Sequence, residues 1–212
     1  MSATVIFLVR HGETPWTRAD RFCGSSDVDL APEGLRQAEA LARALRDVPF
    51  GAAYCSPLGR AVATATPTLT DHGLDLRIAA DLRELDFGVW EGRRRPEIER
   101  DDPDRWRSWT RDPAAEAPER GETGYAVAGR AAGALLRMVE AHPRETLLVV
   151  AHKSVNRILL CHLLGLPILA YRDRIGQDTC ALNRISIDSG GNARVTRLNE
   201  TLHLRQDVRY EP

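Results

Sequence analysis

The chain has 212 residues, 43% hydrophobic and 28% charged, with a formal net charge of −1. That length carries one sizeable core, and the balanced charge excludes a global pull toward nucleic acid or membrane, so partners are expected to be small or local. The four cysteines, Cys23, Cys55, Cys161 and Cys180, show no CxxC or zinc spacing and read as reduced thiols of a cytoplasmic protein. The apolar stretch from Val5 to Val9 is too short to span a membrane and lacks the features of a signal peptide.

Thr4 to Val9 is a continuous β-branched, apolar run, as expected of a central strand buried on both faces. A polar loop follows to about Leu30. From Pro32 to Arg46, apolar residues at 35, 38, 41, 42 and 45 recur at helical spacing, with Pro32 at the first helical position. Ala52 to Cys55 reads as a short strand. Ser56 and Pro57 then supply a cap and a first-turn proline for a helix toward Leu69, which Pro67 is expected to kink or end. Leu74 to Ile78 resembles a strand, and residues 84–121 are loop-rich, with a short helix opened by Asp102 and Pro103; this segment is the expected cap or lid. A long helix is expected over 122–141, a second intensely apolar strand over Thr146 to Ala151, and a helix over 154–164. The tail offers Asn183 to Ile187 and Ala193 to Leu198 as a hairpin around Ser189, Gly190 and Gly191. This alternation implies a single α/β domain over 1–212, with a mostly parallel central sheet, helices on both faces and a small cap insertion.

Two places share one grammar. A buried strand runs out and a histidine follows at once, in VRHGE (9–13) and in VAHKS (150–154). The carboxyl ends of strands border the ligand crevice of an open α/β sheet, so His11 and His152 meet in one site if their strands are parallel neighbours. Hydrogen-bonded interior histidines are the competing reading, made awkward for His11 by Arg10 beside it. Arginines at the same rim fit an anion. Arg10 is one, and Arg60 in SPLGRA (56–61) lies at the start of a helix, where the N-terminus itself favours negative charge. A surface arginine is the alternative for Arg60, and Arg21 is a weaker candidate. Of the 29 basic residues, 28 are arginines and one is Lys153; coding bias accounts for that, yet it leaves ample material for anion sites.

RHGET (10–14), RFCG (21–24), LAPEGLRQAEALA (30–42), YCSPLGRAVATA (54–65), LRELDFGVWEG (82–92) and VVAHKSVNR (149–157) together resemble the ordered motifs of the histidine phosphatase superfamily, also called the phosphoglycerate mutase-like family. The resemblance covers nearly the whole chain. It implies that His11 is a nucleophile forming a phosphohistidine, that Arg10, Arg60 and His152 hold the phosphoryl oxygens, and that Glu84 gives a proton to the leaving group. Glu84 must carry that proton when it donates, which burial or neighbouring negative charge favours. His152 is expected to serve as a protonated clamp. Arg21, Cys23 and Gly24 of RFCG are expected at the substrate or phosphate. No metal or cofactor is implied; the substrate is a small phosphorylated metabolite.

The chain also departs from the family pattern. Trp16 is followed by Thr17 where asparagine is frequent, and the shorter hydroxyl is expected to reach the phosphate in its place. Lys153 follows the second histidine where a small residue is usual, and either adds a charge at the phosphate or points outward. Ala31 stands where a threonine usually caps the helix. Only 68 positions separate Glu84 from His152 (152 − 84), a compact cap that favours hydrolysis over a cofactor-dependent phosphoglycerate mutase. Arg93, Arg94 and Arg95 either reach a substrate carboxylate or form a solvated patch. RLNETLHL (197–204) resembles the tail of phosphoserine-type phosphatases, so His203 is either a substrate contact or part of a plain polar chain end, and the same resemblance hints at a homodimer through an exposed strand or the cap surface. Trp106 and Trp109, three apart, either wall the pocket or simply pack. His72, His142 and His162 read as structural or exposed. A metal-dependent hydrolase would need HExxH or a carboxylate cluster, which the sequence lacks, and a non-catalytic phospholigand-binding protein would have lost His11 or Glu84.

Overall fold

The structure, a computed structural model, describes residues 3–70, 72–206 and 208–211. In chain order the strands are β1 (Thr4–Arg10), β2 (Phe50–Cys55), β3 (Leu76–Ile78), β4 (Thr146–Ala151), β5 (Leu182–Ile187) and β6 (Ala193–Glu200). The helices are α1 (Pro15–Arg18), α2 (Pro32–Leu45), α3 (Gly59–Thr70), α4 (Arg95–Asp101), α5 (Pro103–Arg111), α6 (Gly124–Ala141), α7 (Lys153–Leu163) and α8 (Tyr171–Arg174). One six-stranded sheet has the order β3-β2-β4-β1-β5-β6. Its first four members run parallel, and β5 and β6 form the antiparallel hairpin expected from the sequence.

The unbroken apolar character of β1 and β4 follows from burial on both faces. Ile6, Leu8, Leu147 and Val149 belong to a core with Val127, Leu135, Ile158 and Leu159 of α6 and α7. The alternate residues Phe7, Val9, Leu148 and Val150 belong to a second core with Leu41 and Leu45 of α2 and Ala61 and Ala65 of α3. Each strand therefore needs large apolar side chains at every position, and the period-2 alternation of a half-buried strand disappears.

Three local expectations are corrected. Pro67 does not end α3, which runs on to Thr70; its ring forgoes one intrahelical N–H bond. Ser56 is not the cap of α3, because the helix opens only at Gly59. The polar loop contains α1, and α4 precedes the α5 foreseen at Asp102; helices of 4 and 7 residues are too short to display helical periodicity. α2 begins at Ala31 without a side-chain cap, as the sequence implied.

The N-terminus of α2 is pressed onto the loop after β1. A Cβ added at Gly34 would lie 2.2 Å from the Glu13 carbonyl oxygen, and one at Gly12 would lie 2.6 Å from the Gly34 carbonyl oxygen. Helix propensity alone favours alanine over glycine by about 0.8–1 kcal/mol. Here the backbone contact reverses the sign: Gly34→Ala is expected to destabilise the fold by about 1–3 kcal/mol, read as a lower midpoint in urea unfolding. An unchanged midpoint would show that the loop yields freely.

Candidate active site

The sheet places the two histidines. β1 and β4 are parallel neighbours with Arg10 opposite Ala151, so the next residues, His11 and His152, emerge side by side. Their ring centroids are 5.1 Å apart. β2 flanks β4 on its other side with Cys55 opposite Val150, and this brings Ser56 to the same rim. The Ser56 hydroxyl lies 2.6 Å from His152 Nε2 and also accepts a bond from the Leu58 N–H. A serine expected to cap a helix thus orients a histidine.

The two imidazoles present different nitrogens. His11 Nδ1 lies 2.7 Å from the Gly12 carbonyl oxygen, an acceptor only, so Nδ1 carries the hydrogen and Nε2 is left with its lone pair. On His152, Nε2 is engaged by Ser56, and Nδ1 is buried without a protein partner. Burial, and then the nearby charge of Arg60, pushes both histidines well below the ordinary histidine range, with Arg10 adding to the effect. His152 is therefore a neutral ring in this structure and not the protonated clamp expected from the sequence.

The cations around them are buried. Arg10 is 6% exposed; its Nη1 donates to the Gln177 carbonyl at 2.7 Å and its Nε has no partner. Burial lowers it to about 10, so it stays charged at neutral pH. Arg60 is fully buried and does not line the cavity surface. Its Nη1 and Nη2 donate to the Ser26 and Gly24 carbonyls, both at 2.7 Å, so it ties down the loop beside the histidines. Gly24 is needed for that loop to lie close: a Cβ there would come within 2.2 Å of the Leu85 carbonyl oxygen.

Glu84, 3% exposed, reaches the start of α7. Its Oε2 accepts from the Ser154 N–H at 3.0 Å, and its Oε1 accepts from Leu85 N–H at 2.9 Å and Val155 N–H at 3.3 Å. Free N–H groups at a helix N-terminus are suited to a carboxylate. Arg130 of α6 fixes the preceding segment by donating to the Asp81, Arg83 and Glu84 carbonyls while pairing with Glu122 at 2.8 Å.

Arg10, His11 and Glu84 line one cavity of about 270 Å³. Thr17, Arg21, Cys23 and Lys153 line it as well. The Thr17 hydroxyl is engaged in the α1 cap, donating to the Thr14 carbonyl at 3.0 Å and accepting from the Thr14 N–H at 2.8 Å, bonds that compete with the phosphate contact foreseen for it. Arg21 Nη1 donates to the Gly92 carbonyl at 2.6 Å. Burial pushes the Cys23 thiol up to about 11, which keeps it protonated and weakly nucleophilic at neutral pH. Trp106 and Trp109 do both things considered for them: they pack with Phe22 and Trp90 and they wall the cavity. Arg95 reaches the cavity, whereas Arg93 turns to the Glu97 carbonyl and Asp101.

His203 is the sequence-derived site residue that falls elsewhere. It is 4% exposed, bonded to the Tyr210 hydroxyl at 3.3 Å, and lines a separate depression with Arg43 and Leu204. Sequence reasoning in turn missed Tyr171 and Arg172 of α8 and left Arg157 of α7 without a role, although all three line the cavity. Among the described residues no group of three or more His, Cys, Asp or Glu side chains could hold a metal, and no helix is long and apolar enough to cross a membrane.

The family model for the histidine phosphatase superfamily (branch 1) matches residues 6–201. The chain belongs to that superfamily. It is 30% identical over 199 residues to phosphoserine phosphatase 1 of Hydrogenobacter thermophilus, covering 94% of this chain and 93% of the relative. It is 33% identical over 184 residues to a GpmB-type phosphoglycerate mutase-like protein of Cronobacter sakazakii, covering 85% and 83%. Among solved structures, the alpha-ribazole phosphatase from Shigella flexneri superposes with a TM-score of 0.86 at 28% identity, covering 98% of both chains. The fold is therefore phosphoglycerate mutase-like, and the chain is an enzyme of the phosphomonoesterase type with a small phosphorylated molecule as substrate.

Proposed function

We propose that this histidine phosphatase hydrolyses phosphomonoesters of small metabolites, without a metal, through a phosphohistidine on His11. The observation that carries the reading is the state of that ring: neutral, with Nδ1–H held by Gly12 and the Nε2 lone pair at a cavity shared with Arg10 and Glu84. Nε2 attacks phosphorus, the P–O ester bond breaks, and Glu84 in its protonated form gives its proton to the leaving alkoxide. Water then attacks the phosphohistidine as Glu84 takes a proton back, releasing inorganic phosphate and the free imidazole. Arg10 and Arg60 supply the positive field in which the phosphoryl charge moves. If Ser56 donates its hydroxyl hydrogen to His152 Nε2, the neutral ring carries its own hydrogen on Nδ1 and donates it to a phosphoryl oxygen.

A cofactor-dependent phosphoglycerate mutase is the second reading, favoured by the GpmB-type relative. In it the phosphohistidine passes its phosphoryl group to a second hydroxyl in place of water. One experiment separates the two: phosphate release from p-nitrophenyl phosphate, phosphoserine, 3-phosphoglycerate and α-ribazole phosphate with EDTA present, beside a 3-phosphoglycerate to 2-phosphoglycerate assay with 2,3-bisphosphoglycerate added. Release that resists EDTA and exceeds interconversion is expected. Interconversion with little release would make the chain a mutase, and loss of release in EDTA would end the metal-free mechanism.

A further inference from the structure

The cavity is lopsided in charge. Lys153 and Arg157 of α7 and Arg172 of α8 line it, and among the described residues none of the three has an ion-pair partner. The Arg157 Nε is buried without any hydrogen bond. The Arg172 guanidinium lies 4.0 Å from the centroid of the Trp109 ring and 6.0 Å from that of Trp106, held by aromatic faces and no carboxylate. The acidic residues that line the same space are Asp20 and Glu84, and the Glu84 oxygens are already taken by three backbone N–H groups.

Elsewhere arginines find partners, as Arg130 and Arg83 do on Glu122 and Arg137 does on Asp81. Gathering unpaired cations in a partly dry cleft opposes folding, because each loses hydration and repels the others. Burial lowers Lys153 to about 8, with Arg10 and Arg157 adding repulsion and Asp20 and Glu84 opposing it. Arg157 and Arg172 are lowered by burial as well. A cost of this kind concentrated in a cleft marks a binding function. The phosphoryl group itself already has Arg10 and His152 at the strand ends, with the buried charge of Arg60 behind them, so Lys153, Arg157 and Arg172 are surplus to it.

We propose that Lys153, Arg157 and Arg172 form a second anion subsite, so that the preferred substrate is a small phosphomonoester bearing another negatively charged group, a carboxylate or a second phosphate. This rests on the phosphatase reading for the first subsite. Phe22, Trp106 and Trp109 line the same cavity and offer aromatic faces to the stem that joins the two charges. Lys153, unexpected after the second histidine, thereby becomes a specificity residue rather than a surface charge.

Two substrate pairs test this. 3-Phosphoglycerate and glycerol 3-phosphate differ by a carboxylate in place of a hydroxymethyl group; propane-1,3-diol bisphosphate and 3-hydroxypropyl phosphate differ by a second phosphate. In at least one pair the doubly anionic member is expected to have a kcat/KM about tenfold or more above its partner, and the pair that shows it names the anion. The within-pair ratio should fall toward one in Lys153→Gln and Arg172→Gln and persist in Lys153→Arg. Any general effect of a substitution on the phosphoryl step cancels in that ratio. Ratios near one in both wild-type pairs, or ratios unmoved in both glutamine variants, would remove the subsite while leaving the phosphatase reading intact. Titration calorimetry of the same four ligands on His11→Ala reads the preference as a ratio of Kd values, so the subsite is tested even if no ester turns over. Failure of all four to release phosphate from the wild type would count against the phosphatase reading alone.

Discussion

Replacing His11 with alanine is expected to lower kcat/KM for phosphate release by about 10⁴-fold or more, equivalent to about 5.4 kcal/mol of transition-state stabilisation. The reason is specific to this ring. His11 and His152 are both buried, both neutral and 5.1 Å apart, yet their free nitrogens differ: Nε2 on His11 and Nδ1 on His152. Only His11 has its N–H fixed by a backbone carbonyl, which leaves a lone pair with no competing partner. His152→Ala removes a donor and is expected to cost less. Rapid acid-free quenching of the wild type during turnover should trap a phosphate that survives alkali and is lost in acid, as a phosphoramidate is, and His11→Ala should trap none. Turnover within tenfold of wild type in a folded His11→Ala protein would remove the covalent mechanism and move attention to Glu84 as the base for a direct attack by water.

The parts of this site legible in the sequence are those that a strand end dictates. An apolar run stopped by Arg10 and His11, and another stopped by His152, place both rings at one sheet edge once β1 and β4 pair in register. Glu84 is readable only through the motif around it, and Arg60 stands as one of two readings at a helix start until the motifs are considered, since nothing in a loop glutamate or a helix arginine declares burial. What remained hidden depends on contacts between distant segments. Ser56 meets His152 across 96 positions because β2 happens to flank β4. Arg172 joins the cavity from a four-residue helix that carries no periodic signal. The second bond of Thr17 is hidden for a related reason: a side chain able to bond a phosphate can also bond nearby backbone, and here it serves the α1 cap while lining the cavity. His203 follows the same logic, because its place on a tail motif says nothing of the Tyr210 ring that covers it.

The same burial that keeps the histidines neutral makes the fold sensitive to acid. His11 and His152 are held well below 6.5, and His203 is lowered to about 4, chiefly by burial. The unfolded chain protonates these rings as pH falls through 6.5, whereas the folded chain does not, so the unfolded state binds more protons and stability falls. The sign is that of a depressed folded-state pKa: the contribution is complete above 6.5 and is lost on acidification. Between pH 7.5 and 5 each such histidine costs about 2 kcal/mol, and three together are comparable with the whole stability of many domains, about 5–15 kcal/mol. Glu122, whose carboxylate is lowered from 4.5 with Arg130 and Arg83 bonded to it, begins to contribute only below that window, so pH 5 to 7.5 isolates the histidines. Urea unfolding across this range should show stability dropping steeply toward pH 5. The double variant His11→Asn, His152→Asn should lose about two thirds of the slope, leaving the part due to His203. Inorganic phosphate should also flatten the profile, because an anion beside the two rings lets the folded state accept a proton it otherwise refuses. A wild-type profile flat from pH 7.5 to 5 would mean that the rings already carry protons in the fold, and the neutral nucleophile assigned to His11 would then have to be generated by the substrate's own arrival.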